Sequence, residues 1–203
     1  MRSSTKIQKE ARPRGRPRGF ITSEVLERVR DVFIAKGFAG ASLDELSAAA
    51  GLNRPSLYAA FGDKEQLYIS ALRHTGQKGV EAMDAILGRP EPIEQRLERL
   101  YKGAIDIYTK PPNRPGCIIV GTATVESPTH PAIGAVANEL LANFEKSFER
   151  GFINSDLKAD PSPAERASMA GAIMYATGIR ARLGVPAADL RAFTRSMIPV
   201  ICR

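Results

Sequence analysis

Ser56-Leu57-Tyr58-Ala59-Ala60-Phe61-Gly62-Asp63-Lys64-Glu65 closes one short helix and opens another. Gly62 ends the first, because glycine takes the backbone turn that finishes a helix at no steric cost. Asp63 and Gln66 have the spacing of a capping box and start the second, which carries Leu67, Ile69 and Leu72 on towards Ile86. Upstream, Asn53 caps the closing helix from Arg54 to about Ala60. Pro55 falls in its first turn, where backbone amides lack partners anyway. Another helix precedes it: Ser42 and Glu45 form a capping box, Leu43, Leu46 and Ala50 face inward, and Gly51 stops it. The connecting turn is only Gly51-Leu52-Asn53. A first helix from about Ser23 to Lys36 has Thr22 as its cap and an Ile21–Leu26 staple. Val25, Val29, Val32 and Phe33 lie on one face, and Gly37 is the stop.

Three capped helices between Ile21 and Leu67 suit a helix-turn-helix module, whose last helix enters the DNA major groove with its N-terminal residues against base edges. Asn53, Arg54 and Ser56 stand at that end. Arginine pairs bidentately with guanine and asparagine with adenine. Tyr58 and Lys64 suit phosphates, and Ser42 offers a hydroxyl at a helix N-terminus. Tyr58 also fits a half-buried core position.

Charge supports the same direction. The 203 residues carry a net +7, and residues 1–19 hold seven Lys or Arg against one acid, a net +6. Residues 20–67 sum to −2 and residues 68–203 to +3. The first 19 residues lack apolar periodicity and read as a disordered basic arm that meets a polyanion. Within it, Arg14-Gly15-Arg16 between Pro13 and Pro17 resembles an AT-hook core, which lays two guanidiniums in a narrow minor groove.

The remainder, residues 68–203, reads as helices: Pro92 to about Lys110, Cys117 to about Glu126, Pro131 to about Asn154, Pro163 to Leu183 behind a Ser162–Glu165 capping box, and Pro186 to Ile198. Gly76 and Gly79 weaken the middle of the helix after Asp63. The fold class expected is all-α, a three-helix head on a larger helical domain. No apolar run approaches the ~20 residues of a membrane span, and no apolar stretch follows the charged N-terminus as a secretory signal requires. A cytoplasmic protein without membrane attachment is the expectation. Cys117, Cys202, His74 and His130 lack zinc-site spacing, no cofactor is implied, and no nucleophile–base signature or phosphate loop suggests an enzyme.

Ser42-Leu43-Asp44-Glu45-Leu46-Ser47-Ala48-Ala49-Ala50-Gly51, then Leu57-Tyr58-Ala59-Ala60-Phe61, then Asp63-Lys64-Glu65-Gln66-Leu67 resemble the head of TetR-type transcriptional regulators. Pro115-Gly116-Cys117-Ile118-Ile119-Val120 looks like a Gly-Cys-apolar motif of one branch of that family. The chain departs from the pattern at Ala59-Ala60, where an aromatic or histidine often stands, and this shifts base reading to Asn53, Arg54 and Ser56. The resemblance implies a homodimer joined by a four-helix interface, a palindromic DNA operator, and repression relieved by a small-molecule effector.

The late helices fit that interface through Ala170, Gly171, Ala172, Ala176 and Gly178. A largely apolar effector pocket would draw on Ile105, Tyr108, Cys117, Val120, Thr124, Phe144, Phe148, Met174 and Tyr175, residue types that also build ordinary cores. Cys117 follows a loop at a helix N-terminus, where the dipole lowers a thiol pKa. Two other readings stay open: an architectural nucleoid protein working through the arm, and a redox or electrophile sensor acting through Cys117.

Overall fold

The computed structural model describes residues 18–111 and 115–203, with side chains from Thr22 onward. Among the described residues every regular element is helical. The order is α1 (Arg18–Gly40), α2 (Leu43–Ala50), α3 (Arg54–Phe61), α4 (Lys64–Leu87), α5 (Ile93–Tyr108), α6, α7 (Pro131–Ile153), α8 (Pro163–Arg182) and α9 (Ala187–Ile201). Here α6 denotes a π-helical stretch, Ile119–Ala123, that runs directly into an α-helical turn, Thr124–Glu126.

The head forms as its caps require. Ser42 Oγ accepts from the Glu45 N–H while the Glu45 carboxylate accepts from the Ser42 N–H, so both orphan donors are satisfied. Gly51 ends α2 in the left-handed region, φ 66°. Asn53 Oδ1 accepts from the Ser56 N–H at 2.8 Å and starts α3. Asp63 caps α4 through the Gln66 N–H at 2.8 Å.

α1 is longer than its periodicity implied. It begins at Arg18, so Thr22 lies inside the helix and does not cap it. Nothing after Pro17 forbids helix, and the arm gives up its last two residues. Gly37 does break the geometry, with φ 74° and ψ 172°, a combination nearly restricted to glycine. One more turn, Phe38 to Gly40, follows it. The arm's Arg14 and Arg16 lie outside the described residues, and the Ile21 staple rests on a side chain outside the described ones.

The body is built on α4, which packs along α7, and on α7 against α8. α5 packs against α9, α8 and α4, α8 and α9 also meet, and α1 sits on α4 and touches α6. Gly76 and Gly79 are where α4 meets α7. A Cβ at Gly76 would stand 2.4 Å from Leu140 Cδ2, and one at Gly79 would stand 3.0 Å from Phe144. The glycines thus permit close helix packing, at a local cost in helix propensity.

A single hydrophobic cluster joins the head to the body. At its centre Tyr68 meets Phe33 edge-on at 4.7 Å and Phe38 at 5.3 Å. Two arginines are buried among the helix ends. Arg96 donates to the carbonyls of Leu87 and Asn154, and Arg166 to those of Pro161, Lys158 and Ile201. Arg96 thus closes acceptors at the ends of α4 and α7, and Arg166 closes one at the end of α9 together with two carbonyls of the loop before α8.

Candidate nucleic-acid interface and ligand cavity

α3 presents most of its surface. Of its eight residues only Leu57 is buried, and Phe61 packs against the core edge. Arg54, Ser56 and Tyr58 are exposed, Tyr58 at 42%. Asn53, at the start of α3, is exposed like Arg54, Ser56 and Tyr58, as is Ser42 at the start of α2, while Lys64 at the start of α4 is half-buried.

Their local partners limit what each can do. Arg54 is held by Asp44 of α2 in a two-point contact, Nε to Oδ1 at 2.8 Å and the second guanidinium nitrogen to Oδ2 at 2.6 Å. This pair keeps the Asp44 carboxyl below its usual range. Asn53 spends its side-chain oxygen on the cap, so a bidentate adenine contact, which needs both amide atoms, would cost the cap. Ser42 is likewise occupied: its hydroxyl donates to the Glu45 carboxylate at 2.9 Å. Glu45 also binds Lys36, and that ion pair, with the Ser42 bonds, lowers its carboxyl to about 2. Lys64 reaches the Ala39 carbonyl at 3.3 Å and lies over the Phe38 ring.

In the body a cavity of about 660 Å³ opens between α1, α4, α5, α6, α7 and α8. Of the nine candidate pocket residues, Tyr108, Cys117, Phe144 and Met174 line it. The other five candidates do not. Ile105 is buried with Ala181 and Leu190 in a separate cluster. Phe148 is fully buried against Tyr101. Tyr175 turns its hydroxyl to the Leu141 carbonyl. Thr124 is exposed and bonds the Val120 carbonyl one turn back, while Val120 packs on the core. Spacing along each helix placed these side chains on apolar faces, but which face borders the cavity depends on how six helices meet.

For the same reason the sequence missed the α1 and α4 walls. Arg30, Asp31 and Ile34 come from the head helix, and Thr75, Lys78 and Met83 from α4. The only trace in the sequence is that Thr75, Gly79 and Met83 fall four apart, one face of a helix.

Cys117 is a free, buried cysteine. It is buried against Gly178, whose missing side chain makes the approach possible: a Cβ there would stand 2.9 Å from that of Cys117. Burial raises the Cys117 thiol above its ordinary value, outweighing the α6 backbone amides that act in the opposite direction. The expected lowering by the helix dipole is thus overturned, because desolvation of the thiolate exceeds it. Tyr108 is hydrogen-bonded beside it, and its own phenol is pushed up by burial.

The small residues of α8 also divide. Ala170, Gly171 and Gly178 are buried within the chain, with Gly171 facing Tyr175 and Glu145. They serve its own core and leave no surface for a second copy. Ala172 remains exposed, and Ile179 and Leu183 further along α8 are 45% and 78% exposed.

Comparison with known proteins agrees with this layout. Residues 25–71 match the family described as bacterial regulatory proteins, tetR family. The TetR family transcriptional regulator CifR, solved as a cysteine mutant with a 26-base-pair operator DNA, is 30% identical; the alignment covers 93% of this chain and 98% of that one, with a TM-score of 0.71. The transcriptional repressor BdcR of Escherichia coli (strain K12) is 32% identical over 56% of this chain and 57% of its own length. The regulator YezE of Bacillus subtilis (strain 168) is 26% identical over 70% of this chain and 73% of its own. All three relatives are named as transcriptional regulators or repressors. With the helix-turn-helix head, the helical body and a full-length relative at this identity, the chain belongs to the TetR family of transcriptional regulators.

Proposed function

We propose that the chain is a homodimeric repressor that leaves a palindromic operator when a small molecule fills the body cavity. The observation that carries this reading is the cavity's wall. α1, the first helix of the head, supplies Arg30, Asp31 and Ile34 to it. An occupant therefore touches the head directly and can bias its orientation, provided it favours one arrangement over the other. A coupling of about 1–3 kcal/mol is typical of such pairs of sites.

On the DNA side, Arg54 and Ser56 are the base readers. Asn53 contributes as a donor, Tyr58 and Lys64 grip phosphates with Ser42 beside them, and Arg14 and Arg16 follow the flanking minor groove. The partner copy docks on the outer faces of α8 and α9. Ala172, Ile179, Leu183 and Val200 leave apolar surface exposed there, and Arg180 lies 4.6 Å over the Phe193 ring.

Genomic fragments captured by the protein would be sequenced and footprinted. One short protected palindrome, bound by a species that sediments as a dimer, is the expected result. Broad protection of A·T-rich DNA, or a monomer at micromolar concentration, would refute it.

A further inference from the structure

The cavity wall is made of two chemically different sets of residues. Met83, Leu100, Ile118, Ile119, Phe144 and Met174 are all buried. Charge appears only among the solvent-facing members of the wall. Arg30, Lys78 and Lys110 are cationic there, and Asp31 is the one carboxylate that lines the cavity. Asp31 is engaged by Arg30, at 2.7 and 2.9 Å. Lys78 is engaged by Glu27, one turn before Asp31 on α1. Lys110 meets no carboxylate among the described residues. Three cations therefore face two carboxylates, and each existing pair is half-exposed, a setting in which ion pairs contribute little and exchange readily.

Resting on the ligand-responsive reading above, we infer that the cavity takes an apolar acid, whose hydrocarbon body lies against the buried residues while its carboxylate collects Lys110 and draws Lys78 away from Glu27. A neutral ligand would leave the surplus cation unpartnered, and a cationic ligand would add a fourth positive charge. The anion also acts on the head. Glu27 belongs to α1 and Lys78 to α4, so the exchange removes a tie between the head helix and the body. The cavity volume is within the ~300–1,000 Å³ usual for small-molecule sites.

Decanoate, decan-1-ol and decylamine share one tail and differ in charge, and titration calorimetry would compare them on the full chain. Decanoate is expected to bind at least about tenfold more tightly than the alcohol, with the amine weakest, and added salt should narrow the gap. Lys78→Met should remove most of the preference while leaving alcohol binding in place. Glu27→Gln frees Lys78 and should tighten decanoate severalfold without changing the alcohol. Acid and alcohol binding within a factor of two of each other, both lost in the cavity-filling variant Ala104→Trp, would overturn the acid preference and leave the cavity as a ligand site. So would an acid preference that persists when Lys78→Met is combined with Lys110→Met. If none of the three probes binds, or binding survives Ala104→Trp, the ligand-responsive reading fails as well.

Discussion

Removing either partner of the Tyr68–Thr122 hydrogen bond should have unequal consequences. The two hydroxyls lie 2.6 Å apart, both buried. Thr122 has one hydroxyl proton, and its oxygen lies 2.7 Å from the Ile118 carbonyl, one turn back. The proton goes there, so Tyr68 donates to Thr122. Tyr68→Phe then deletes a donor and leaves Thr122 with its own bond intact. The cost should be about 0.5–1.5 kcal/mol, the net worth of one hydrogen bond. Thr122→Val keeps the shape and leaves the Tyr68 hydroxyl buried without an acceptor, at about 1–3 kcal/mol. The double variant removes both polar groups and should cost less than the two singles combined. Urea unfolding of the four proteins gives the cycle, and about 1 kcal/mol corresponds to roughly 2–4 °C in Tm at this size. Thr122→Val costing no more than Tyr68→Phe would refute the donor assignment. Simple additivity in the double variant would refute the coupling.

Other outcomes follow from features already described. Arg54→Ala should lose about 1–3 kcal/mol on the operator and relax one base position per half-site, and equal loss on random DNA would reduce Arg54 to a phosphate contact. Asp44→Asn releases Arg54 and removes a negative charge near the duplex, so binding to random DNA should strengthen, read by fluorescence anisotropy. Gly76→Ala gains helix propensity of about 0.5–1 kcal/mol but drives a methyl to within 2.4 Å of Leu140; overpacking of about 1–3 kcal/mol should win, giving a lower urea midpoint. Acid titration should lose the contribution of Glu45: its folded carboxyl lies at about 2, so the stabilisation is full above the ordinary value near 4.5 and fades as pH falls towards 2. The opposite sign holds for Cys202 and Tyr68, raised to about 11 and about 12 by burial, whose contributions fade as pH rises through those values. Deleting residues 2–18 should lower the salt slope by about 0.9 per lost phosphate contact, more so in absolute affinity on A·T-flanked operators.

The head was legible because its information is local. Ser42, Gly51, Asn53, Gly62 and Asp63 act within four residues of themselves, and each stands where its cap or stop was expected. The body's helices were legible for a similar reason, with Pro163 and the Ser162–Glu165 box marking the start of α8. The cavity was not. Ile105 and Tyr108 are three residues apart on one helix and both belong to the packing around Leu190, yet only Tyr108 also borders the cavity. That difference is set by where α9 and α6 arrive, which no period in α5 encodes. Gly76 shows the same limit: alone it reads as a weak point in α4, and only the approach of Leu140 makes it a requirement. For Cys117 the local rule was correct about the amides but lost to burial, a quantity that only the assembled chain has.

The recognition helix is fastened to the rest of the molecule by one fully buried side chain, Leu57, with Phe61 at its edge. Exposed positions away from caps and cores usually tolerate substitution within about 0.5 kcal/mol. Ser56, Tyr58, Ala59 and Ala60 can therefore be exchanged with little effect on folding, whereas Asn53 and Leu57 cannot. With α3 reading DNA as proposed, stability and DNA preference are written at different positions of this helix and its cap. A library randomised at Ser56, Tyr58, Ala59 and Ala60 should consist mostly of folded proteins, so that selection on new operator sequences would act on recognition alone.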